Sequence, residues 1–324
     1  YTNKGSLKIG DAFDLYAGRK IVEDEDGEWF NVFDDLQIIS LQTDGSVGWD
    51  SPAAFYRQQF DGRLYRITLQ NGASVTVTAA HPLLTGNGWT SAGDLNESDQ
   101  VAIPRKIPLC DSGYVESDMA KLLGWQIAEG YEQERISGES QSDTVRISQN
   151  DLEVLRDLRD IVENRHIPKL SGVKSGGVQR LDDTINPKIV EGDRNRCASL
   201  RISSTLYRRR LEERYGHDYG QLSADKSVPS SIMKANKEAK RQFVKAFFDA
   251  EGSCAADSRS AISFSSASKK LIHQIAKLLH EFGITMLVGP KHVKGFEHVY
   301  WRGVVGGEEL RRYEQRIGFG RKGE

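Results

Sequence analysis

One nine-residue pattern occurs twice in this chain and restricts its fold more than any other feature. Leu122-Leu-Gly-Trp-Gln-Ile-Ala-Glu-Gly130 and Val244-Lys-Ala-Phe-Phe-Asp-Ala-Glu-Gly252 both end in Ala-Glu-Gly and hold a small residue, Gly124 or Ala246, in the same register. Small residues let two helix backbones approach closely, and a terminal glycine is predicted to supply the permissive backbone of a C-terminal cap. If the two helices pack side by side, Glu129 and Glu251 emerge together at their shared end. Two carboxylates so placed repel each other and also meet the negative ends of helix dipoles. A divalent cation removes that conflict, and the last-turn carbonyls of Ala128 and Ala250 would add hard oxygen ligands of the kind magnesium takes. A metal held this way can activate water and stabilise charge in an in-line phosphodiester displacement.

The flanking segments extend the repetition. Helical spacing is read at Ser117–Glu129, with Ser117 or Asp118 placed as cap, and at Glu238–Glu251. Val145–Ser148 and Leu200–Ser203 read as strands; Asp151–Asn164 and Ser204–Tyr215 read as helices. In the second copy Ala261–Ser265, Thr285–Val288 and His298–Val305 read as strands, with Ser268–Phe282 and Glu308–Ile317 as helices. Residues 117–233 and 238–324 therefore each run helix, strands, helix, strands, helix. A period of about 120 residues is too long for a solenoid and predicts a duplicated α+β unit with a pseudo-two-fold axis. Residues 171–196, rich in Gly, Ser, Lys, Arg and Asp, read as a long loop or poorly packed ribbon.

The first hundred residues differ. Leu64–Leu69 and Ser74–Thr78 alternate around Asn71-Gly72, a hairpin signal, and Leu36–Gln42 before Asp44-Gly45 reads as another strand and turn. Glu23–Glu28 is too acidic for a core and reads as an exposed loop. Charge divides the same way. Residues 1–105 hold 8 Lys and Arg against 15 Asp and Glu, leaving 36 basic and 31 acidic residues in the remainder of a chain with formal net charge −2. The second part is thus the one suited to a polyanion. Cys110, Cys197 and Cys254 form neither a disulfide framework nor a zinc spacing. No apolar run approaches the roughly 18 residues of a membrane span, and Tyr1–Gly10 lacks the apolar core of a signal peptide, so an intracellular setting is expected.

The paired segments resemble the two motifs of monomeric LAGLIDADG homing endonucleases, over roughly residues 117–324. The second copy adds similar stretches at Ile262–Leu271, Leu278–Ile284 and Ile317–Phe319. The resemblance implies a metal at Glu129 and Glu251, with two or three magnesium ions at the shared site. It also implies a basic residue from each copy near the metals, here Lys226 within Ala224–Pro229 and Lys322 after Phe319. Asp is common at the metal-binding position, so Glu in both copies is a departure that bears on metal geometry and rate. Saddle-shaped antiparallel sheets would lie over a long, pseudo-symmetric duplex DNA target and be served by a monomer. Arg135, Arg146, Arg201, Lys291, Lys294 and Arg302 are the candidates on those strands. The loop with Lys174, Arg180, Lys188, Arg194 and Arg196 would add contacts.

Residues 1–106 resemble the front part of an intein splicing domain of the Hint fold, through Val75–Leu83, Trp89, Leu95 and Asp99–Val101. The family motif Thr-x-x-His falls on Thr78 and His81, whose chemistry is to hold a strained peptide and protonate a departing amine. Splicing also needs a Cys or Ser at its first residue and a terminal His-Asn, where this chain has Tyr1 and Arg321-Lys-Gly-Glu324. Self-splicing is therefore not expected of it. The fold expected is α+β: a β-rich Hint-like module over 1–106, then a duplicated endonuclease domain over 107–324. Site-specific cleavage of double-stranded DNA is the leading function. A DNA- or RNA-binding, maturase-like relic and one half of a trans-splicing intein are the alternatives.

Overall fold

A computed structural model of the chain describes residues 1–137, 140–165, 185, 187–192, 197–255, 258–293, 295 and 298–320. Helix α1 (Ile9–Tyr16) leads into a series of short strands: β1 (Ala17–Glu23), β2 (Glu28–Val32), β3 (Ile38–Leu41), β4 (Val47–Asp50), β5 (Phe55–Arg57), β6 (Leu64–Thr68), β7 (Ser74–Thr78), β8 (Pro82–Thr85) and β9 (Gly88–Ser91). They form a three-stranded sheet, β1-β2-β5, and three separate hairpins, all antiparallel. The hairpin expected around Asn71-Gly72 is β6-β7, and Gly72 takes the positive φ of 83° that such a turn needs. The acidic loop is the tip of the β1-β2 hairpin.

Two units of matching topology follow. The first runs α2 (Ser117–Glu129), β10 (Gly130–Ser137), β11 (Ser140–Ser148), α3 (Leu152–Arg165), β12 (Pro187–Val190), β13 (Ser199–Ser203) and α4 (Thr205–Tyr215). A short helix, α5 (Ser230–Met233), lies in the connection. The second runs α6 (Lys237–Glu251), β14 (Ser253–Ala255), β15 (Ser258–Ser266), α7 (Lys269–Glu281), β16 (Leu287–Lys291), β17 (Tyr300–Gly306) and α8 (Glu308–Arg316). The sheets have the same order, β10-β11-β13-β12 and β14-β15-β17-β16, and every pair is antiparallel.

Local chemistry explains these elements. In β11 and β13, Val145, Ile147, Leu200 and Ile202 face the core while Arg146 and Arg201 between them are exposed, the period of two that a one-sided sheet requires. Ser204 caps α4, its hydroxyl accepting from the Tyr207 N–H at 3.2 Å, and Ser268 caps α7 by accepting from the Leu271 N–H at 3.1 Å. In α3, Leu155, Leu158, Ile161 and Val162 form the buried face, while Leu152 at its start stays outside.

Three expectations are corrected. Glu116, not Ser117 or Asp118, is the N-cap of α2, and it makes no side-chain capping bond. Part of the 171–196 stretch is strand β12, because Pro187 and Ile189 tuck against the core edge while Lys188 points out. The glycines after both repeated helices are not left-handed: Gly130 has φ −77° and Gly252 φ −63°. They are needed because the chain turns straight into a strand. A Cβ would lie 2.0 Å from the Gln126 carbonyl oxygen at Gly130 and 2.3 Å from that of Phe248 at Gly252.

The core lies entirely within the two matching units, from Val115 to Ile317. Before residue 105 only Thr2, Gly5, Ala12, Leu36 and Ala92 are buried, and Ile9, Phe33 and Trp89 are 85, 67 and 66% exposed. This part is β-rich, as expected, but has no buried core of its own, only the packed rings of Phe13, Phe30 and Phe55 at its surface. Among the described residues, no helix is long and apolar enough to cross a membrane.

Candidate active site

Helices α2 and α6 pack along each other at the centre of the molecule. The close approach depends on Gly124: a Cβ there would sit 2.6 Å from the Phe243 carbonyl oxygen and 2.8 Å from the Ala246 Cβ. The two small residues noted in register thus meet across one interface. Leu122, Leu123, Phe243 and Phe247 fill the surrounding core.

Both helices end at the glutamates. Glu129 is the last residue of α2 and is exposed; Glu251 is the last residue of α6 and is half-buried. Glu251 lines a cleft of about 230 Å³ together with Ile127 and Ala128 from the end of α2, and with Lys226. Ala128 and Ala250 are themselves buried.

Lys226 joins the two units. The Ser268 hydroxyl donates to its carbonyl at 2.6 Å, and the Gln274 side chain accepts from the Val228 N–H at 2.8 Å, so its loop is held by α7. Its side chain reaches the other way. Nζ donates to the carbonyls of Ile127 at 2.9 Å, Gly130 at 3.2 Å and Ala128 at 3.4 Å, at the negative end of the α2 dipole. Burial pushes this ammonium below the usual lysine range, against the opposing pull of Glu251, Glu132 and Glu129. One cation therefore feels both motif glutamates. Lys322, the expected counterpart, lies outside the described residues.

Glu132 belongs to a cluster that the sequence does not announce. Its carboxylate pairs with His217 Nε2 at 2.7 Å, accepts from Gln126 Nε2 at 2.6 Å and accepts from the Gly220 N–H at 2.8 Å. Tyr207 donates to Gln126 Oε1 at 2.8 Å. Burial alone would raise the Glu132 carboxyl, but the hydrogen bond and charge of His217, with the Gln126 and Gly220 donors, hold it below the usual range. His217 and Gly220 sit at the start of the loop that carries Lys226, so this cluster fastens that loop to β10 and α2. The corresponding place in the second unit is aromatic: Phe248 and Tyr313 lie 5.3 Å apart, and Tyr313 and Phe319 5.0 Å.

Of the expected DNA-facing residues, Arg146, Arg201, Lys291 and Arg302 are exposed on the faces of the two sheets away from the helices. Lys188 joins them from β12. Arg135 lies on β10 opposite Ser142, and its side chain is outside the described residues. Lys174, Arg180, Arg194, Arg196 and Lys294 also lie outside them. In the N-terminal part, Thr78 ends β7 and the His81 N–H donates to the Thr78 carbonyl at 3.2 Å, with His81 exposed. The motif residues are thus neighbours through a backbone turn.

Among the described residues no group of three His, Cys, Asp or Glu side chains is gathered for a metal. A cation at the α2–α6 end would draw on two carboxylates and on main-chain carbonyls. These are hard oxygen donors in the number that magnesium uses when waters and phosphate oxygens complete its shell. The three carbonyls that Lys226 Nζ reaches show that main-chain oxygens at this corner are turned toward a cation. The residues present therefore fit a divalent cation.

The chain is 26% identical over 289 residues to the replication factor C small subunit of Thermococcus kodakarensis, covering 88% of this chain and 29% of that protein. It is 25% identical over 377 residues to the probable translation initiation factor IF-2 of Methanocaldococcus jannaschii, covering 98% of this chain and 32% of that protein. It thus spans about a third or less of the curated relatives it matches. Among solved structures, mesophilic variants of the homing endonuclease I-DmoI are similar at 16% identity and a TM-score of 0.44, over 63% of this chain and 97% of that one. Residues 238–318, from the start of α6 to the end of the second unit, match the family described as LAGLIDADG-like domain.

Proposed function

We propose that this chain is a site-specific double-stranded DNA endonuclease carried within an intein, cutting phosphodiesters at one centre formed by Glu129 and Glu251. The observation that carries the reading is the convergence at Lys226. The lysine rests on the end of α2, shares a cleft with Glu251 of α6 and feels the charge of both glutamates. Glu129, Glu251 and the carbonyls of Ala128 and Ala250 would hold divalent cations, magnesium among them. When bound, such a cation supplies activated water and neutralises phosphate charge. The protein's own part is to hold the two carboxylates together against their repulsion and to bring in Lys226. That ammonium, partly shielded from water, polarises the attacking water or stabilises the developing oxyanion. The exposed basic residues of the two sheets would hold the duplex, with phosphate contacts supplying most of the affinity.

The setting within an intein has separate support. This chain aligns with under a third of two proteins whose names, a replication factor subunit and a translation initiation factor, have nothing in common. A stretch shared by such a pair is what a self-contained inserted segment would produce. The lack of a core before residue 105 fits a part of a larger β-domain, as the Hint resemblance of Thr78 and His81 would have it.

A plasmid library with randomised inserts, incubated with the full chain and magnesium, tests the activity. Recovered double-strand ends should share one sequence and vanish with chelator. Enrichment of bound DNA without any cleavage would return the chain to the DNA-binding class, and ligation of flanking peptides by mixing with a second fragment would favour trans-splicing.

A further inference from the structure

The two sheets present different chemistry at corresponding positions, and we infer that the two halves of the DNA target are read by different means. The inference rests on the endonuclease reading and deepens it. Tyr131 and Ser253 each stand two residues beyond a motif glutamate, so the rows of residues paired with them are counterparts. In the first unit the row across the sheet is Tyr131, Arg146, Arg201 and Lys188, by direct register. All four side chains are exposed. In the second unit the row is Ser253, Ser263, Val304 and Leu287. Its own side chains are uncharged; Ser263 is buried, Val304 is partly exposed and Leu287 is 50% exposed.

Strands in a sheet lie about 4.8 Å apart, so the three cations of the first row span roughly 10 Å. Like charges directly opposite on neighbouring strands destabilise a sheet. No carboxylate among the described residues pairs with Arg146, Arg201 or Lys188. Folding gains nothing from this row, whereas a polyanion laid along it removes the repulsion. Arginine in a major groove pairs bidentately with guanine O6 and N7, and apolar side chains meet the thymine methyl group. The first-unit row therefore suits guanine, and the second, with Val304 and Leu287, suits thymine at the mirror-related positions. The second sheet's own arginine restores the symmetry only in part, reaching this row from the next one through a single nitrogen against three cations seated in the first row. Arg302 stands in the next row, opposite Ser265, and its Nη2 donates to the Ser263 hydroxyl at 3.1 Å.

The test is selection of bound duplexes from a randomised pool by the full chain and by R146A, R201A, V304A and L287A. These side chains lie on the solvent side of the sheets, and matched thermal melts check that each variant is folded. The wild-type consensus should hold guanine on one side of its centre and thymine at the mirrored positions. R201A should reduce the guanine preference by roughly tenfold or more while leaving the other half unchanged. V304A and L287A should act only on the thymine half. Each cation removed should also lower the slope of log affinity against log salt by about one. A mirror-symmetric consensus, or guanine preference that survives R146A and R201A, would overturn the inference and leave the endonuclease reading standing. Failure of the wild type to bind or cut any duplex would overturn both.

Discussion

At the scale of single residues, the account turns on two positions. Gly124 has no room for a side chain because the backbone of α6 lies against it. Gly124→Ala should therefore cost about 1–3 kcal/mol, the usual penalty of overpacking, read as a lower midpoint in urea unfolding. Gly86, with nothing within 4 Å of an added Cβ, is the control and should tolerate the same change. Glu132 is the other position. Its folded pKa is depressed, so its contribution is complete above the unfolded carboxyl value, about 4.3, and is lost as pH falls through the folded value. Glu132→Gln should thus be less stable than wild type near neutrality, with the gap closing in acid. An unchanged gap between pH 7 and pH 3 would show that the charge of Glu132 is not what the fold uses.

At the scale of elements, α6 and α7 are joined by a pair that water does not reach. Lys240 and Glu281 have fully buried side chains in contact, and Lys240 also donates to the Cys110 carbonyl at 2.7 Å. Removing one partner leaves an uncompensated buried charge, so Lys240→Met should cost about 3–5 kcal/mol. Replacing both by apolar residues should recover much of that loss, and a double-mutant cycle in chemical denaturation measures it. Most elements could be read from the sequence because their burial is periodic. Val145-Arg-Ile and Leu200-Arg-Ile alternate, and Leu155, Leu158 and Val162 recur at helical spacing. Helix α1 and strand β12 escape such reading. Eight and four residues are too few for a period to declare itself. The Glu132 cluster escapes for another reason. Gln126, Tyr207 and His217 come from distant segments, and the one local sign is that Glu132 takes an inward-facing place on β10, opposite buried Val145.

At the scale of the whole molecule, one continuous core serves the two matching units and none serves the first hundred residues. Amide hydrogen exchange should reflect this, with hairpins β3-β4, β6-β7 and β8-β9 exchanging well before α2 and α6. The duplication was legible because Ala-Glu-Gly occurs twice at matching distance from similar strands and helices. The asymmetry between copies was not, because it depends on register: which residue of β13 lies opposite Arg146 cannot be read from composition or period. The central claim is that Glu129 and Glu251 form one metal-dependent centre. Cleavage of the selected plasmid target by E129Q, E251Q and wild type, with magnesium present, tests it most directly. Each single variant should lose roughly 100-fold or more of double-strand cleavage, on the scale of removing one transition-state contact, while still binding the duplex. A variant that cuts both strands within a few-fold of wild type would show that the two carboxylates do not work together.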